Sequence, residues 1–141
     1  MQLIPARAGR PTTRRSETFT GEVWGDPVTA PGADPMVNTV VFAPGGRTYW
    51  HRHDGGQLLV ARTGEGLVVA EDGTTYRLVE GESVWTPSGE LHWHGAGPES
   101  LLAHSAFSFG TTRWLHEVTD EEYAAAVRAA PVRPSASEGE R

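Results

Sequence analysis

The sequence contains no cysteine and no lysine. Without thiols it has no disulfide, no thiolate nucleophile and no sulfur ligand for a metal. All 12 basic residues are therefore arginine, and Schiff-base chemistry on a lysine amine is excluded. Long apolar runs are missing as well. No stretch approaches the ~20 residues that span a bilayer, so no membrane partner is expected. The opening segment MQLIPARAGRPTTRRS is polar, basic and broken by proline, unlike a secretory leader, which makes the cytoplasm the expected location. Positive charge is also scarce beyond the start. The first 15 residues hold four arginines and no acid, leaving eight arginines against 18 acids, a net of −10, for the remainder. A body that acidic argues against nucleic-acid binding.

A chain of 141 residues is long enough for one modest core. We expect a flexible, solvated arm over residues 1–16, one β-domain with a C-terminal helix over 17–130, and a disordered tail over 131–141. The middle of the chain reads as short apolar segments punctuated every eight to twelve residues by turn signals, an all-β pattern. Expected strands cover 18–24, 37–43, 47–51, 57–62, 66–71, 75–79, 83–86, 91–94 and 101–109, with Asp72-Gly73 as a hairpin turn. The one expected helix follows Thr119, whose spacing to Glu122 makes a capping box. Val118 can staple onto Tyr123, and Pro131 stops the helix.

Four of the six histidines fall in two pairs, His51/His53 in YWHRHDGGQLLV and His92/His94 in ELHWHGA. On a strand, residues two apart project to the same side, so each pair shares a face. Two imidazoles so placed can bind one metal through nitrogen. A single His-x-His says little alone, because such pairs also occur in cores and on surfaces. The frame around them says more. Gly45 precedes His51 by six residues, and Gly64 follows Gln57 by seven. Then come Gly81, Pro87, Gly89 and His92, at intervals of six, two and three.

These residues resemble the two motifs of the cupin superfamily, with matching spacings over 45–96. The resemblance implies an all-β jelly-roll barrel with a short C-terminal helix, and a divalent metal held by His51, His53, Gln57 and His92. Strand parity joins only the first two of these. Gln57 stands where many cupins have glutamate, and Ala96 where many have asparagine. A metal-free barrel would be one consequence, although an amide oxygen is itself a competent ligand. WHRHDGGQLLV, SVWTPSGELHWHGA, His104 in LLAHSAF and the FTGEV and EVTDEEY flanks resemble the small bacterial cupins that include manganese-dependent hydroxynitrile lyases. In that subgroup glutamine is usual.

A glutamine in place of glutamate leaves the bound ion one unit more positive, which strengthens its pull on a hydroxyl and disfavours oxidation of the metal. Manganese is favoured by the resemblance alone; iron, nickel, cobalt and zinc also suit imidazole-rich sites. His94 and His104 are the candidate acid/base residues, with a purely structural, hydrogen-bonded role as the alternative for each. His116 is assigned no role. Leu59, Ala61, Leu102 and Ala106 are expected to line a small apolar pocket, Trp50 and Trp93 to face away from the ligands toward a sheet-to-sheet or dimer interface, and Trp85 and Trp114 to sit in the core or at the cavity edge. The expected function is a metal-dependent lyase acting on a small hydroxyl-bearing substrate, a cyanohydrin. A dioxygenase using metal and O2, or a non-catalytic small-molecule-binding cupin, are the alternatives. The resemblance further implies a homodimer.

Overall fold

The computed structural model describes residues 1–131; most of the expected tail lies outside them. In chain order the elements are β1 (Thr13–Arg14), β2 (Phe19–Thr20), β3 (Val23–Pro27), β4 (Met36–Phe42), β5 (Arg47–Thr48), β6 (His51–His53), β7 (Gln57–Ala70), β8 (Thr75–Val79), β9 (Ser83–Thr86), β10 (His92–Ala96), β11 (Leu102–Ser108), β12 (Thr112–Trp114) and α1 (Asp120–Ala129). All pairings are antiparallel, and the sheet curls strongly on itself. One wall runs β1-β3-β4-β11-β7-β9. The other runs β8-β7-β10, with β5 and β6 both alongside β10, β2 beyond β5 and β12 beyond β6. Strand β7 serves both walls: Gln57–Val60 pairs with β9, and Glu65–Val69 with β8.

That double duty corrects one expectation. Segments 57–62 and 66–71 were expected as two strands separated by Gly64, but β7 is continuous. Gly64 has φ +77°, and a Cβ there would meet the Leu101 carbonyl oxygen at 1.9 Å, so it is a bend inside a strand where another strand passes close. The opposite correction applies at 18–24 and 47–51. The first splits at Gly21 (φ +81°) into β2 and β3, and the second into β5 and β6. The short strands β1 and β12 were not expected. Within the expected arm, Thr13–Arg14 lies as β1 against Gly25 and Trp24 of β3.

Side-chain parity sorts the core into two layers. Inside the barrel, Leu59, Ala61, Leu102 and Ala106 pack with Phe42, Val40, Val68 and Leu78. These four therefore fill core space rather than lining an apolar pocket. On the other face of β7 and β10, Leu67, Val69 and Trp93 are covered by Val118 and by Ala126 of α1. This explains the unbroken run LVVA at 67–70, which is buried on both sides. Trp50 and Trp93 face away from the barrel interior, as parity requires, and what they meet there is the helix layer. Trp85 is 54% exposed and lies against Phe109, so of its two expected places, core or cavity edge, the core is excluded.

The capping box at Thr119/Glu122 forms as its spacing requires, and the chain turns extended at Ala130, before Pro131. Buried Arg47 fastens this helix to the barrel. Its Nε and Nη2 donate to the Val118 carbonyl at 3.2 and 2.9 Å, Nη2 reaches Asp120 at 2.9 Å, and its guanidinium lies over the Tyr123 ring. Tyr123 in turn donates its hydroxyl to the Ala96 carbonyl at 2.8 Å. Among the described residues no helix is long and apolar enough to cross a membrane.

Candidate metal centre

The short strand β6 exposes only Arg52 and turns His51 and His53 inward, as parity requires. Its antiparallel neighbour β10 sets His92 directly opposite His51. One ligating nitrogen from each of His51, His53 and His92 falls within 4.8 Å of the others, and all three side chains are buried. Gln57, the first residue of β7, joins them: its Oε1 lies 3.1 Å from His92 Nε2. The structure thus brings together all four residues expected as a metal set.

The hydrogen bonds behind the rings decide what the front can do. His51 Nδ1 lies 2.9 Å from the Tyr49 carbonyl, and His92 Nδ1 lies 3.0 Å from the Glu90 carbonyl. A carbonyl only accepts, so each Nδ1 carries the hydrogen and each Nε2 keeps its lone pair. His53 Nδ1 is 3.0 Å from Thr112 Oγ1, and its buried Nε2 has no partner. Gln57 Nε2 donates to Ser108 Oγ at 3.0 Å, which turns the amide oxygen toward His92. His92 Nε2 and Gln57 Oε1 are then two acceptors facing each other inside a buried chamber. Such a pair is relieved by a cation between them, and backing bonds of this kind orient metal-ligating histidines. The donor set fits a divalent ion bound by three imidazoles and one amide oxygen.

Burial also keeps these nitrogens available. It pushes His51 and His92 below the ordinary imidazole value, His51 further by the neighbouring His92, and it takes His53 down to about 4. All three are therefore neutral at pH 7.

The two expected acid/base residues lie in the same chamber. His94, two residues beyond His92 on the same face, has its ring 5.2 Å from that of His51 and 5.8 Å from that of His92. His104, on β11, approaches from the other wall, with its Nε2 3.0 Å from His94 Nδ1. Both are buried, and the outer nitrogens of the pair, His94 Nε2 and His104 Nδ1, have no protein partner. Phe42 packs on both rings, at 5.9 and 5.1 Å between centroids. Burial lowers both: His94 well below its ordinary value, helped by the adjacent His104, and His104 to about 4.

Two contributors, Ser108 and Thr112, were missed in the sequence. Ser108 had the parity of His104 but received no role. Thr112 lies on β12, too short a strand to register as one. Trp114, expected in the core or at the cavity edge, lies 4.6 Å from the His51 ring and 5.7 Å from Phe19. His116 stays exposed and outside the centre. Two clefts flank the chamber. One of about 790 Å³ has Val40 and Trp114 in its wall, and one of about 230 Å³, between Tyr76 and Trp85, reaches His92.

Residues 38–103 match the family model described as a cupin domain. The chain is 39% identical over 116 residues to an (R)-mandelonitrile lyase of Granulicella tundricola, spanning 77% of this chain and 87% of that protein. Among solved structures, a cupin-like protein of Thermotoga maritima superposes with a TM-score of 0.77 at 37% identity, over 81% of this chain and 92% of that one. A polyketide cyclase of Streptomyces resistomycificus shares the fold at a TM-score of 0.67 and 19% identity, covering 87% and 91% of the two chains. With motif spacing, curled barrel and sequence relatives in agreement, the chain belongs to the cupin superfamily.

Proposed function

We propose that the protein is a metal-dependent lyase that cleaves small cyanohydrins into an aldehyde or ketone and hydrogen cyanide, and forms them in reverse. The likeness to an (R)-mandelonitrile lyase supports the substrate class. The observation that carries the chemistry is the buried His94–His104 pair beside the three-histidine group. Manganese is the metal we favour. A divalent cation held by His51, His53, Gln57 and His92 supplies positive charge that favours the ionised form of a nearby hydroxyl.

His94 is the base. With its hydrogen on Nδ1, donated to His104 Nε2, it offers the bare Nε2 lone pair to the chamber. Nε2 takes the substrate hydroxyl proton, and the Nδ1 hydrogen can pass 3.0 Å to His104, spreading the charge over two rings. The C–C bond to the nitrile breaks with its electron pair leaving on cyanide, and the carbonyl forms. His94 then returns the proton to cyanide, which leaves as hydrogen cyanide. The lowered imidazole pKa leaves the base unprotonated at rest and ready to give its proton back; it also makes the base weaker, which the cation's pull on the hydroxyl offsets.

The test is cyanide release from mandelonitrile under nitrogen. His94→Ala and His104→Ala should each retain about one metal ion per chain while kcat falls; for His94 the fall should be roughly 10²–10⁴-fold. Loss of metal in both variants assigns them to the scaffold. Turnover that stops without oxygen replaces the lyase with a dioxygenase. The homodimer belongs to this proposal too: Trp24 and Val41, register partners exposed on the convex face, offer it an apolar contact, and light scattering in solution decides it.

A further inference from the structure

The larger cleft has an unusual wall. It is bounded on one side by Phe19, Val40 and Trp114, and on the other by the arm, which contributes Arg10, Arg14 and Arg15. Glu17 is the one acidic residue among those lining it. In a protein whose remaining residues are strongly acidic, the basic arm has been laid over the larger of the two clefts beside the histidine chamber.

Arg15 is the built element of this wall. Its backbone N–H bonds the Val23 carbonyl at 2.8 Å, continuing the β1–β3 pairing. Its half-buried side chain then crosses Gly25, where a Cβ would sit 2.4 Å from Nε. Gly25 follows Val23, a core residue, at the spacing that gives the same face, so the guanidinium lies on the concave side of the sheet. No hydrogen bond, ion pair or aromatic ring engages that guanidinium among the described residues. A half-buried cation held over a glycine, with no partner, is prepared for an anion from outside.

The register gives its distance from the chemistry. Gly25 pairs with Val40, and Val40 pairs with His104. Gly25, which lies under the Arg15 side chain, Val40 and His104 therefore form one row across three strands, spanning about 10 Å at two strand spacings. Arg47, Arg77 and Arg113, by contrast, are already paired with Asp120, Glu65 and Asp54.

The geometry points to a substrate carrying a carboxylate, bound by Arg15 at the end of the molecule away from the carbon that reacts at the histidines. Val40, between the two, sets the thickness of the substrate that passes. This inference rests on the lyase reading for the reacting end and adds the charge at the other. Arg10 and Arg14, both exposed, attract the anion into the cleft without fixing it.

The experiment compares 4-carboxybenzaldehyde with benzaldehyde in cyanohydrin synthesis by the manganese-loaded full chain, and measures terephthalate binding by calorimetry as a readout independent of turnover. We expect the carboxylated aldehyde to be preferred in KM. Arg15→Gln should remove about 10- to 100-fold of its kcat/KM, leave benzaldehyde within a factor of about two, and abolish terephthalate binding. Arg15→Lys, which keeps the charge and guards against a folding defect, should restore part of the preference. The paired Arg10→Gln/Arg14→Gln variant should keep the preference but weaken its dependence on salt. Equal handling of the two aldehydes by the wild type, or a preference that survives Arg15→Gln, overturns the assignment. Terephthalate binding that depends on Arg15, with neither aldehyde turned over, keeps the anion site and defeats the lyase reading. Turnover of both with no charge preference does the reverse.

Discussion

Acidifying the metal-free protein tests whether the imidazoles are buried neutral, the condition on which both the metal set and the base depend. Imidazole titrates near 6.5 when exposed, whereas burial holds His104 at about 4. His51, His92 and His94 are lowered by the same cause, and His53 to about 4. Below pH 6.5 the unfolded chain thus takes up protons that the folded chain refuses. Stability is complete above 6.5 and is lost as the pH falls toward 4. A fall from 6.5 to about 4 makes this about 3 kcal/mol for His104 alone, at ~1.4 kcal/mol per pH unit. The assay is urea unfolding of chelator-treated protein at pH 8, 7, 6 and 5. Between pH 6 and 5 the unfolding free energy should drop by about 1.4 kcal/mol for each histidine buried neutral. Against a total of about 5–15 kcal/mol for a typical domain, the protein should unfold before the fall is complete. Exposed Asp54 and Asp72, lowered by hydrogen bonds from Arg113 and Thr74, titrate below this window and leave the slope alone. His104→Leu should reduce the slope by about 1.4 kcal/mol per pH unit, whatever its effect on stability at pH 8. Equal slopes in the two proteins, or a flat profile from pH 7 to 5, refute the reasoning.

Two other substitutions probe the centre and the fold. Gln57→Glu puts a carboxylate where an amide oxygen sits 3.1 Å from His92 Nε2. After the cost of burying the charge, chelator competition should show at least about tenfold tighter metal, with slower cyanide release from a less positive ion; unchanged affinity would remove Gln57 from the set. Gly64→Ala should cost more than about 2 kcal/mol in thermal unfolding, because its Cβ meets the Leu101 carbonyl at 1.9 Å. Gly73→Ala, at φ +92° with open space around it, should cost only about 1 kcal/mol, and equal costs would show that backbone conformation alone matters.

The parts of this molecule legible in the sequence are those fixed by local rules. The capping box needed only Thr119 and Glu122, and the pairing of His51 with His53 needed only strand parity. The convergence of His92 on them depends on β6 lying against β10, a contact between residues 41 apart, and only the motif resemblance carried that. Local rules failed where one signal has two structural meanings. Gly64 bends a strand whereas Gly21 ends one, and the difference lies in Leu101, which passes close to the first, and in Gly46, which faces the second. The tryptophans failed similarly. Alternation says which side of a strand Trp93 faces, but not that α1 will cover that side, nor that Trp85 will be left uncovered.

Gln57 connects the metal half of the centre to the proton-transfer half. Its amide nitrogen is held by Ser108, on the strand that also carries His104, while its oxygen faces His92. Among the described residues, those that are polar and buried include five of the six histidines and no carboxylate. Any proton admitted to the chamber therefore meets neighbouring imidazoles and no anion to hold it. A glutamate at position 57 would supply that anion, raising the proton affinity of His92 and drawing protons from His94 and His104 toward the metal ligands. The neutral side chain avoids this. It keeps three lone pairs for a cation and one for a substrate proton within a single buried space, which is why a residue that looks like damage to the ligand set is the one that lets acid–base and metal chemistry share it.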